Sequence, residues 1–174
     1  MAATILIAAS VFFFPAAMAM AASMDVVTMT IPNRVCAALA IGYFVLAVAV
    51  GLPAQTILVN LSCGAAVLAV MFAMFALGWI GGGDAKLAAA IALWLGWGVL
   101  LDYSLSAAIY GGVLTIVILL GRRQVLPLWL SRHAWIARLH DSKTGVPYGV
   151  ALAAAGMMFY PHTEIWRAAA SLQG

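Results

Sequence analysis

From residue 35 to residue 83 the chain carries no Asp, Glu, Lys or Arg. A stretch that long and that apolar has no stable place in a water-soluble fold, but it matches the solvent inside a bilayer. About 20 apolar residues in a helix cross the hydrocarbon core, with a working range near 17–25. The run is broken midway by Pro53, Ala54 and Gln55, so it reads as two crossings rather than one. Residues 1–24, 87–101, 103–121 and 144–163 are also uncharged. Charged residues are 7% of the whole, where soluble domains carry roughly 25%. With 67% hydrophobic residues the chain is neither a soluble globule nor disordered.

The pattern predicts an all-α, polytopic membrane protein in one domain, 1–174, with about six spans near 4–23, 35–52, 57–80, 84–101, 104–120 and 146–160. A transmembrane barrel would show alternating segments of about ten residues, and none are present. The end of the first span, Ala17-Met18-Ala19-Met20-Ala21-Ala22-Ser23, has the small residues of a leader cleavage site. No Lys or Arg precedes its apolar run, however, so a retained helix is expected.

Six spans put Arg34, Lys86, Arg122, Arg123, Arg132, Arg138 and Lys143 on one side and only Arg167 on the other. The positive-inside rule then places the connections near 24–34, 81–86 and 121–145 in the cytoplasm and the N-terminus outside. The net charge of +3 therefore records topology. It gives no reason to expect a nucleic-acid partner, and no basic-aromatic binding module is present. Leu128, Trp135, Ile136 and Leu139 within 121–145 suggest an interfacial helix with snorkelling arginines.

Ionisable residues at a membrane are costly and are functional candidates by default. Asp102, Glu164 and Asp141 read as solvated charges, the first in an outer turn, the second in an exposed tail and the third in the inner connection. Asp25 and Asp84 differ, because each marks the inner edge of a span. Gly81-Gly82-Gly83 before Asp84 removes side chains, so another backbone can approach the carboxylate. Pro32 suits a helix start and biases Ile31 to an extended conformation, holding an Asp25 loop against the membrane. Two carboxyl groups brought together resist double ionisation and titrate as a unit. One can take a proton from water while the other polarises a peptide carbonyl. The same two residues could instead be plain membrane-edge charges.

Three segments carry a family resemblance. Gly81-Gly82-Gly83-Asp84-Ala85-Lys86 fits the G-x-G-D pattern of intramembrane aspartyl proteases. Asp25-Val26-Val27-Thr28-Met29-Thr30-Ile31-Pro32-Asn33 resembles the loop carrying the other aspartate of type IV prepilin peptidases. Lys143-Thr144-Gly145-Val146-Pro147-Tyr148-Gly149-Val150-Ala151-Leu152 resembles the opening of the last helix in their short, Flp-type (tight adherence) branch. The resemblance implies a leader peptidase of the bacterial inner membrane with Asp25 and Asp84 as catalytic pair. It also implies that Gly81 and Gly83 frame the second aspartate, with Lys86, Pro32 and Asn33 as supporting motif residues.

The implied substrate is a prepilin, with a basic leader followed by an apolar helix, and pilus assembly machinery is a possible partner beside the lipid bilayer. Larger members of the family insert a domain with paired C-x-x-C motifs and methylate the new N-terminus. This chain has neither motif nor insertion, so a peptidase without methyltransferase activity is expected. One departure is that Val27 and Met29 stand where relatives often carry arginines.

No cofactor or metal is called for. Cys36 and Cys63 fall inside spans, and His133, His140 and His162 have no ligand spacing. Lys86 is expected to snorkel to lipid phosphate rather than act on Asp84. Two rival functions use the same residues differently. A proton-coupled transporter would use the aspartates as a relay, though the chain lacks repeated halves. A non-catalytic pilus assembly component would tolerate their loss.

Overall fold

A computed structural model describes residues 1–172. Among them the fold is helical, with no strand: α1 (Ala2–Thr28), α2 (Asn33–Ala49), α3 (Ala54–Ala76), α4 (Gly82–Leu95), α5 (Trp97–Arg122), α6 (Leu128–Ser131), α7 (Ala134–His140), α8 (Gly149–Phe159), a 3₁₀ turn (Tyr160–His162) and α9 (Glu164–Ser171). Three helices are long and apolar enough to cross a membrane: α1 over Ala3–Thr28, α3 and α5. The other expected spans are shorter, 17 residues in α2, 14 in α4 and 11 in α8.

Position in the bundle explains why α4 is short. In α4 every residue from Leu87 to Leu95 is buried, and α2, α3 and α8 pack around it. A helix enclosed by protein can end short of the bilayer edge, because neighbouring helices rather than lipid surround its ends. The outer helices instead turn Phe12, Ile41, Phe72 and Ile109 outward, as an apolar solvent allows. Between helices in lipid, close packing replaces the hydrophobic effect, which favours small residues. At Gly64 on α3 an added Cβ would lie 3.1 Å from Leu93 Cβ and 3.3 Å from the Ala89 carbonyl oxygen on α4.

Trp94 sits at the centre, its Nε1–H donating to the Leu39 carbonyl at 2.9 Å. Its ring meets Phe14 and Tyr160, which stack on each other with centroids 4.5 Å apart. The cluster ties α1, α2, α4 and the turn after α8 together.

Several boundaries differ from expectation. The Gly96 break comes earlier than the sequence suggested: its φ of 67° is left-handed, and Asn60 Oδ1 occupies the space a Cβ would need. Asp102 therefore lies inside α5 rather than in a turn. Asp25 lies in the last turn of α1 rather than in a loop, because the helix runs to Thr28 and is closed by Met29 N–H donating to the Asp25 carbonyl at 2.8 Å. Pro32 caps α2 from just outside it. Segment 121–145 forms two short helices broken at Arg132 and His133, with Leu128 exposed and Leu139 half-buried, so the expected single interfacial helix does not form. Glu164 opens α9, which is docked on α1 through Ile165 and Ala169 rather than trailing free.

Candidate active site

The C-terminus of α1 and the N-termini of α2, α4 and α8 meet at one end of the bundle, and each brings part of the site. Asp25 is 5% exposed, and its Oδ2 accepts the Gly149 N–H at 2.7 Å. Gly149 is the first residue of α8, so the carboxylate faces the positive end of that helix. Asp84 is the third residue of α4, half-buried, and its carboxyl folds back toward the Gly81 backbone N–H. An acidic group three residues past a helix cap can satisfy the cap's own donor this way. Ile31 lies against both Gly149, which holds Asp25, and Gly83, next to Asp84, so the two acids flank one side chain. The structure thus brings the two aspartates together.

Three glycines make this convergence possible through space rather than backbone freedom. At Gly81, where φ is −73°, a Cβ would stand 2.9 Å from Asp84 Oδ2. At Gly83 it would stand 3.2 Å from Ile31 Cβ. At Gly149 it would lie 2.7 Å from Asp25 Oδ2 and 2.8 Å from Ile31 Cδ1. Ile31, in the turn before Pro32, is therefore clasped between the starts of α4 and α8. Both expected glycines, Gly81 and Gly83, touch the site or its support. Gly149, the first residue of α8, carries no sequence signal beyond its place in Pro147-Tyr148-Gly149.

Asn33 and Lys86 are joined: Lys86 Nζ donates to Asn33 Oδ1 at 2.9 Å, linking the starts of α2 and α4. The lysine expected to reach lipid phosphate holds a neighbouring helix instead. A charge-assisted bond at an exposed position contributes about 1 kcal/mol. A double-mutant cycle of Asn33→Ala and Lys86→Met, read by thermal unfolding in detergent, should return a coupling of about that size. Additive losses would show that the contact contributes nothing.

Two arginines complete the end of the bundle, and neither was anticipated. Arg138 Nη1, from α7, donates to the Val27 carbonyl at 2.7 Å, so a guanidinium reaches the segment that lacks local arginines. Arg122 donates to the carbonyls of Leu139, Thr144 and Gly145 at 2.8, 2.9 and 3.0 Å. Its fork pins the connection that leads into α8, a geometry lysine cannot reproduce.

Asp84 opens onto a cavity of about 590 Å³ between α3, α4, α5 and α8, walled by Met71, Tyr103, Val146, Tyr148 and Leu152 among others. Tyr148 lies across Gly111 of α5, where no side chain would fit beneath it. Asp25 is not on the cavity wall; it is held by the Gly149 N–H at the start of α8. The described His, Cys, Asp and Glu residues form no group of three placed to hold a metal ion.

A model of the type IV leader peptidase family matches residues 12–116, a stretch that contains both aspartates and the glycines before Asp84. The chain belongs to the type IV leader peptidase family. It is thus a peptidase with three helices long and apolar enough to cross a membrane. The matched stretch ends before α7 and α8, which bring Arg138 and Gly149 to this end of the bundle. No curated protein and no solved structure matches the chain.

Proposed function

We propose that this leader peptidase is an aspartic endopeptidase that cuts prepilins of the Flp type at the cytoplasmic face of the bacterial inner membrane. Asp25 and Asp84 share one proton. The ionised carboxyl takes a proton from water, whose oxygen attacks the peptide carbonyl, while the protonated partner hydrogen-bonds that carbonyl. Collapse of the tetrahedral intermediate breaks the C–N bond, and the leaving amine takes the proton the base drew from water, so the pair again holds one proton. The observation that carries this assignment is the convergence of the Asp25 carboxylate and the Gly81–Asp84 turn on Ile31, with Asp84 facing a cavity.

The topology proposed with it has six crossings in a single domain, with α4 enclosed by its neighbours. Arg34, Lys86, Arg122, Arg123, Arg132, Arg138 and Lys143 belong to the site end, which supports placing that end in the cytoplasm. A prepilin leader is basic and stays there, while the apolar helix behind it lies in the bilayer. A glycine at their junction unwinds locally and presents its carbonyl. Gly81, Gly83, Pro32, Asn33 and Lys86 hold the geometry. The paired C-x-x-C motifs of methylating relatives are missing from the sequence, which supports cleavage alone as the activity.

Co-expression with a prepilin, followed by the size shift of the product, tests the assignment directly. Cleavage should also be bell-shaped in pH for purified protein in lipid. Acid protonates the base, and alkali removes the shared proton. A rate that climbs steadily into alkali with no descending limb would rule out the shared proton.

A further inference from the structure

The short helix α7 takes no part in the chemistry above, yet it packs against both α1 and α5. Two adjacent residues of α7 carry the polar contacts. Arg138 Nη1 donates to the Val27 carbonyl at 2.7 Å, just past Asp25 on α1. That carbonyl is among the last four of α1, which a helix leaves without a partner of its own. The next residue, Leu139, offers its carbonyl to Arg122 Nε at 2.8 Å. Arg122 ends α5, and its Nη2 also donates to the Thr144 and Gly145 carbonyls at 2.9 and 3.0 Å. A short step along the chain from Gly145, the Gly149 N–H reaches Asp25 Oδ2 at 2.7 Å.

These contacts close a ring. From Asp25 it runs through the end of α1 to Arg138 and Leu139, then across Arg122 to Gly145. From there the start of α8 leads back to the Asp25 carboxylate. A helix of 7 residues is marginal by itself, so α7 keeps its place through its neighbours. The two arginines are used differently. Arg122 serves three carbonyls at once with a planar fork, whereas Arg138 serves one.

We propose, on the peptidase assignment above, that Arg122 and Arg138 are positioning residues that brace the Asp25 carboxylate, through α7, between the end of α1 and the start of α8. They act through backbone carbonyls and not on the carboxyl groups themselves. Opening the ring at either arginine leaves α7 attached on one side only. The brace is lost at that first cut, and a second cut removes little more. Arg122 has a further task, because Gly145 and Val146 wall the cavity that Asp84 faces.

The test is steady-state cleavage of a purified prepilin by the full chain in lipid, with rates expressed per folded enzyme. Arg138→Ala should lower kcat about tenfold with KM within about twofold, a fraction of the roughly 10²-fold that a 1 Å displacement costs. Arg138→Lys should restore kcat to within about threefold, because one donor can serve one carbonyl. Arg122→Lys should lower kcat about tenfold and also raise KM, because an ammonium cannot hold three carbonyls in a plane. Arg122→Lys combined with Arg138→Ala should lie within about twofold of the slower single variant. Arg123→Gln, at an exposed neighbour, removes the same charge from the same end and should match the wild type. Arginines that only stabilise the fold would lower the unfolding temperature and leave kcat per folded enzyme unchanged, which overturns the brace. It is also overturned if the losses multiply in the double variant, if Arg138→Lys is as slow as Arg138→Ala, or if Arg123→Gln is equally impaired. If Arg122→Lys does not fold, the two Arg138 variants decide alone. A wild type that cleaves no prepilin removes the peptidase assignment, whereas arginine variants with normal kcat remove the brace and leave that assignment standing.

Discussion

Asp25→Asn and Asp84→Asn should each reduce prepilin processing by at least about 10³-fold while the protein still inserts and folds. General acid–base groups contribute about 10²–10⁴-fold each, and here one proton serves both roles. Asparagine keeps the shape of aspartate. At position 25 its side-chain oxygen can still accept the Gly149 N–H, so the start of α8 stays anchored and the loss reports chemistry rather than structure. At position 84 the carboxyl faces the cavity, and its neighbours at Gly81 and Gly83 are unchanged. Because the pair acts as a unit, Asp25→Asn with Asp84→Asn should be no slower than either alone. The measurement is the processed fraction over time in cells co-expressing a prepilin, with membrane insertion checked separately. Near-normal cleavage by either variant removes that residue from the mechanism.

Gly149→Ala should cost about 100-fold, and Gly149→Val should stop processing. The added Cβ would lie 2.7 Å from Asp25 Oδ2, closer than such atoms approach, so the carboxylate must move from its place at the start of α8. A misplacement of about 1 Å at reacting groups costs on the order of 10²-fold. The second clash, with Ile31 Cδ1 at 2.8 Å, involves the far end of a longer side chain. Ile31→Val removes that atom and should recover part of the activity of Gly149→Ala. Thermal unfolding would show that the variants stay folded. A fully active Gly149→Val would mean that the position of the Asp25 carboxylate is not used.

Much of the site was legible before any coordinates, though unevenly. The glycines before Asp84 stood out because runs of residues without side chains have few purposes next to a carboxylate. The structure assigns them separate tasks: Gly81 makes room for Asp84 itself, and Gly83 makes room for Ile31. Lys86 was visible as a charge at a span edge, but its partner Asn33 lies 53 residues away in sequence. Arg138 was more remote still, 111 residues from Val27. Hydrophobic runs also misplaced helix ends. Asp102 interrupts an apolar stretch and so looked like a turn, yet a single charge inside an exposed helix near its end does not break it, whereas the positive φ of Gly96 does.

Local chemistry of the chain alone was enough for the helical class, for the three segments long and apolar enough to cross a membrane, and for Asp25 and Asp84 as the acids to watch. These follow from solvation and charge, which act residue by residue and are written along the sequence. Which helix is central, how short it can be, and which glycine meets which carboxylate depended on the packed bundle. Those facts rest on contacts such as Gly149 to Asp25, 124 residues apart, which exist only once several helices have excluded lipid from one another.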